Sequence, residues 1–164
     1  DQSILDIKPV FPDLEIKKNQ TFTLDLGDRE VKIRAWESGH TDSDLSVYDV
    51  KSKILWTENI FVNRIPSVRA SILGWKKNLE ITSKMDISKI IPGHGKITTK
   101  DEALLPMLSY FRRMIKEIRT LHDMGINIET AQKEVAKDNK ENWLLFNDYH
   151  ISNVTKAYSE LEWE

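Results

Sequence analysis

The sequence predicts an α/β layered domain, strands first and helices after, on three observations. Up to about Gly95, short runs alternate polar and apolar side chains between turn residues. From Thr99 onward the apolar residues recur at helical spacing instead. No internal repeat or low-complexity linker separates the two regimes, so residues 1–98 read as a β-rich half and 99–164 as a helical segment packed on it.

The elements follow in order. Thr21 to Leu26 and Val31 to Trp36 alternate on either side of the Gly27-Asp28 turn, which predicts a hairpin. Leu45 to Val50 and Ile54 to Thr57 form a second pair joined at Lys51-Ser52-Lys53. A helix is expected after Pro66, with Ser67 near its start and Ile72, Trp75 and Leu79 on one face. Ile87 to Ile91 reads as a short strand stopped by Pro92-Gly93. Thr99 to Glu102 supplies a capping pattern for a long helix through Leu105, Leu108, Phe111, Ile115, Ile118 and Leu121, ended by Gly125. Ile128 to Ala136 predicts a short amphipathic helix, and Asn142 to Glu162 one helix or two short ones.

Composition narrows the function classes. The 164 residues are 40% hydrophobic and 30% charged, with a net charge of −2 and Lys and Glu interspersed. That balance suits a globular fold and offers neither a nucleic-acid groove nor a polybasic membrane patch. No apolar stretch approaches the roughly 20 residues of a membrane span. With no cysteine, disulfides, thiolate zinc sites and thiol nucleophiles are excluded together. The opening residues Asp1 to Asp6 do not read as a signal peptide. A start at Asp rather than Met leads to the expectation of a processed or cut product that something preceded.

Four histidines are the candidates for chemistry. His40, in Ser38-Gly39-His40-Thr41-Asp42-Ser43-Asp44, sits on a glycine-containing loop at a strand end, where a rigid sheet holds functional side chains. His94, in Pro92-Gly93-His94-Gly95, follows a strand in the same way, with glycines that leave room around an imidazole. Each alone is equally an ordinary turn histidine. Two at neighbouring strand ends suggest imidazoles converging on a metal. His122 near a helix C-terminus is explained by the helix dipole, and His150 by packing or a surface role. Neither joins the site.

The run Gly39-His40-Thr41, then Thr57-Glu58-Asn59, then Pro92-Gly93-His94-Gly95, across roughly residues 20 to 97, resembles the metallo-β-lactamase superfamily. There a G-H-T/S loop, a T-G-D turn and a P-G-H-G loop follow an H-x-H-x-D-H motif in this order. The ending from Trp143 to Glu164 is similar to the bacterial branch called quinoprotein relay system zinc metallohydrolases. The resemblance implies the C-terminal half of an αββα sandwich with a helical C-terminal extension. It also implies one or two zinc ions at the sheet edge, with His40, His94 and the Asn59 position among the metal ligands. Zinc-bound water would attack an ester, amide or thioester carbonyl. Members of the branch are often exported, so the resemblance implies a periplasmic location.

Two departures count against a working site. No two of the four histidines are two residues apart, so H-x-H-x-D-H is absent. The T-G-D aspartate, which commonly bridges the two metals, is Asn59 here, a neutral and weak ligand. The glycine of that turn is Glu58, which could replace the lost carboxylate only if the turn were repositioned. The expected function is therefore a zinc-hydrolase-like fragment with an incomplete site, inactive as it stands. The alternative is a non-catalytic relative serving as a binding or structural protein. The expected partner is a missing N-terminal half or a second copy, in whose dimer His40 and His94 of each chain could meet. Arg64, Arg69 and Trp75 fall where the family's pocket wall would be, and surface packing explains them equally well.

Overall fold

A computed structural model describes residues 8–164, and the opening residues Asp1 to Asp6 lie outside them. Five strands form one sheet in chain order: β1 (Thr21–Asp25), β2 (Glu30–Ala35), β3 (Leu45–Asp49), β4 (Ile54–Phe61) and β5 (Lys89–His94). The first three pairings are antiparallel: β1–β2 and β3–β4 are the two expected hairpins, and β2–β3 joins them. β5 joins β4 in parallel after helix α1 (Ile72–Ser83). α2 (Lys100–Asp123), α3 (Ile128–Glu134), a 3₁₀ helix (Lys137–Asn142) and α4 (Phe146–Leu161) complete the chain.

Three expected boundaries move. β4 runs four residues past Thr57 to Phe61, and β5 continues through Pro92 to His94. Pro92 is tolerated because β5 is an edge strand, where a missing backbone donor breaks no ladder bond. α1 starts after Ser71 rather than Ser67, the Ser71 hydroxyl accepting from the Gly74 N–H. That helix has no acid in its own first turn. Glu160 of α4 supplies one, its carboxylate accepting from the Ser71 hydroxyl at 2.6 Å and from the Ile72 N–H at 2.8 Å. α2 begins with the expected capping box between Thr99 and Glu102. Leu105, expected in its core stripe, faces solvent, and Leu104 and Met107 are buried in its place.

The sheet has two unlike faces. On one, Leu55 of β4 and Ile90 of β5 meet Trp75 and Leu79 of α1 and Met107, Phe111 and Met114 of α2 in a single core that reaches α4 through Val154, Ala157 and Leu161. On the other, directly opposed residues form an apolar row across the strands: Phe22, Ile33, Val47, Trp56 and Ile91. None of this row is buried, and Trp56 in the sheet interior is 38% exposed.

His150 belongs to the core. Its Nε2–H donates to the Val135 carbonyl at 2.9 Å, because a carbonyl only accepts, and Nδ1 then takes the Tyr110 hydroxyl proton at 2.9 Å. Asn153 extends the network, donating to the Pro66 carbonyl at 2.7 Å and accepting from the Val68 N–H at 2.8 Å. Burial, ahead of all else, lowers the His150 pKa below its usual value. The folded state therefore resists a proton that the unfolded chain accepts near pH 6.5. The contribution of the neutral His150 ring is fully present above that pH and falls as pH drops below it. Urea midpoints of the chain and of His150→Gln, compared at pH 7.5 and pH 5, isolate it: the chain should lose more stability than the variant, and equal changes would contradict it.

Gly93 is the tightest point of the sheet edge. A Cβ on it would stand 2.2 Å from the Glu58 carbonyl oxygen and 2.6 Å from Glu58 Cα, both backbone atoms of β4. Gly93→Ala is expected to cost about 1–3 kcal/mol, the range for forced overpacking, and to lower the thermal midpoint. Calorimetry checks it, and an unchanged midpoint would contradict the close approach of β4 and β5.

Candidate functional site

The loops after β2 and β5 bring His40 and His94 to one end of the sheet. The His40 loop is closed by Asp44, a buried carboxylate that accepts from the His40 and Thr41 N–H groups at 2.8 Å each and from the Thr41 hydroxyl at 2.6 Å. The His40 ring is oriented by Ser67, whose carbonyl lies 2.8 Å from Nδ1. A carbonyl accepts only, so Nδ1 carries the proton and the lone pair is on Nε2. Fixing one nitrogen to free the other is the usual arrangement of a ligating histidine.

His94 is set by the β5 edge and by Gly95, whose φ of +109° lets the chain turn away beneath Val62. Its Nδ1 faces the Arg64 Nη1 at a long 3.4 Å. A guanidinium only donates, so this contact assigns the acceptor to Nδ1 and the proton to Nε2. Burial first, then Arg64, His40 and Arg69 in turn, hold the His94 pKa below its usual value.

Phe61, 1% exposed, packs against both imidazoles, its ring centroid 5.1 Å from that of His40 and 4.3 Å from that of His94. The sequence reading missed it, because β4 was expected to end before it. Its position two residues past Asn59 on a continuing strand is the signal that could have found it.

The remaining expected residues fall as follows. Asn59 is buried, with Oδ1 accepting the Thr57 hydroxyl at 2.6 Å and its carbonyl accepting the Trp75 indole N–H at 2.9 Å. Trp75 is fully buried and so is core, not pocket wall. Glu58 turns to the open sheet face, accepting from the Leu45 N–H at 2.8 Å. The residue is exposed, yet burial around its carboxyl head, followed by the charge of Asp44, raises its pKa to about 7. Arg64 crosses from His94 to Tyr149, donating from Nη2 to the phenol oxygen at 3.3 Å. Arg69 is exposed on the segment before α1, its backbone N–H donating to the His40 carbonyl at 3.2 Å.

These residues, as arranged, do not fit a zinc ion. Of the two imidazoles only His40 keeps a free lone pair, Asn59 is engaged by Thr57, and the His94 ring is packed on Phe61 with Arg64 against its Nδ1. Among the described residues no group of three or more His, Asp or Glu could hold a metal ion.

Comparison with solved structures shows that the fold is shared. The chain superimposes on the stereoselective inverting sec-alkylsulfatase Pisa1 from Pseudomonas sp. with a TM-score of 0.70 at 17% identity, covering 92% of this chain and 27% of that one. For a metallo-β-lactamase from Pontibacter korlensis the TM-score is 0.52 at 19% identity, covering 62% of this chain and 49% of that one. For TMB-1 it is 0.50 at 25% identity, with 61% and 47% covered. The chain thus spans about a quarter of the length of the alkylsulfatase and about half of each of the other two. No protein-family model and no curated protein matches the sequence. The five-stranded sheet with helices on one face is thus a fold this chain shares with part of each of these proteins, a metallo-β-lactamase among them.

Proposed function

We propose that this chain is the C-terminal half of a metallo-β-lactamase-like hydrolase fold with an incomplete metal site, and that it has no hydrolytic activity of its own. The observation that carries this reading is the Phe61 ring packed against both His40 and His94. Zinc hydrolysis in this fold needs several ligands around a metal that activates water. One free imidazole nitrogen, a committed amide and a neighbouring guanidinium do not supply that set.

The open sheet face supports a second element of the proposal. Its apolar row is what an αββα sandwich covers with another sheet, and an uncovered apolar face of this kind marks an interaction surface. An N-terminal half is the cover that fits best, since the matched part accounts for only about a quarter to a half of each structural neighbour. A second copy is the competing cover.

Elemental analysis of protein purified without chelator is expected to give far less than one zinc per chain. Hydrolysis of β-lactam, ester and thioester probes should stay at the no-protein level. Zinc-dependent turnover abolished by His40→Ala would overturn the proposal. Light scattering separates the two covers. A mass near twice 19.1 kDa that halves on Trp56→Lys identifies a second copy, and an unpaired chain leaves the N-terminal half.

A further inference from the structure

Two arginines at the sheet end carry charge that the described residues do not neutralise. Arg29, Arg112, Arg113 and Arg119 pair with carboxylates, and Arg34, which does not, lies with its guanidinium 4.4 Å over the Trp36 ring. Among the described residues no carboxylate lies within ion-pair distance of Arg64 or Arg69. Arg64 is half-buried, and its contacts are neutral ones: the His94 imidazole at 3.4 Å, the Tyr149 phenol oxygen at 3.3 Å and the Tyr149 ring, 5.6 Å from the guanidinium carbon. Both hydrogen bonds are long, and Arg64 Nε is buried with no partner. A guanidinium held so loosely, partly out of water, lacks the acceptors it would take if they were offered.

The neighbours add donors. With His94 Nδ1 facing Arg64, the ring presents Nε2–H, and Arg69 is exposed beside the His40 loop. Of the two acids on that loop, Asp44 already accepts three hydrogen bonds from its own turn, and exposed Asp42 forms no ion pair among the described residues. Overall charge does not create this patch, because the chain is net negative at −2.

We propose that Arg64, with Arg69 and His94 beside it, binds an oxyanionic group, such as a phosphate, sulfate or carboxylate head, at the sheet end where the fold's metal chemistry would otherwise lie. Arg64 is the anchor because its planar fork matches two oxygens of such a group. The Tyr149 ring lies under the guanidinium, and Phe61 backs the His94 ring. The inference does not depend on the chain being catalytically silent, since it invokes no metal.

Calorimetric titration of the full chain with inorganic phosphate tests it, at low ionic strength and with EDTA present so that no metal mediates the contact. One saturable site per chain is expected. Arg64→Gln should weaken it at least ~10-fold and Arg64→Lys by less, because the charge stays while the fork is lost. Arg69→Gln should weaken it ~3-fold, in the range of an exposed charge contact. Arg119→Gln, at the remote Glu164 pair, should leave it unchanged. Absence of saturable binding, or equal binding by a folded Arg64→Gln, would overturn the proposal. Should Arg64→Gln not fold, Arg69→Gln decides, since that side chain is exposed, and undiminished binding there counts against the site.

Discussion

The pairing of β4 with β5 at Glu58 and Gly93 is the contact on which the rest of the sheet end depends. The backbone of β5 approaches so near that no side chain fits at residue 93. The ladder is interrupted between Thr57 and Phe61 and resumes with Phe61 opposite His94, where the Val62 N–H donates to the His94 carbonyl at 2.8 Å. That resumption sets the imidazole against the phenyl ring. Had β4 ended at Thr57, Phe61 would lie in a loop free to leave both histidine rings. The chemistry of the site is thus decided by a backbone contact, and only then by side chains.

The helical segment works as a brace for that end of the sheet. Asn153 holds Pro66 and Val68, Glu160 holds the start of α1, and Leu144 exchanges backbone hydrogen bonds with Asn63 and Ile65 on either side of Arg64. Net contributions of about 1 kcal/mol per hydrogen bond are modest. Leaving their buried partners unsatisfied costs more, so these polar ties fix one position for the segment that presents Ser67 to His40. The C-terminal helices and the site loops are therefore one mechanical unit with a shared core.

Much of this was legible in the sequence. Alternation located β1 to β3, the capping pattern located the start of α2, and glycine-flanked loops located both histidines. What escaped has physical reasons. The polar pair Glu58-Asn59 looked like a turn because alternation reports which face is wet, and here Glu58 faces outward while Asn59 is satisfied inside by Thr57. Pro92 looked like a stop because sequence does not say which strand will lie at an edge. His150 offered core or surface, and only the Tyr110 contact, 40 residues away in the chain, decides it. Arg64 was visible as a charge, but the absence of an acid opposite it is a property of three dimensions.

Asn59 has a consequence for what this end of the sheet tolerates. The residue is 4% exposed, and its amide oxygen is held by the Thr57 hydroxyl. An aspartate in its place would set a negative charge in a nearly dry position, at a cost of several kcal/mol unless a cation arrived with it. The neutral amide folds here without a counter-ion, so at residue 59 charge and stability pull in opposite directions.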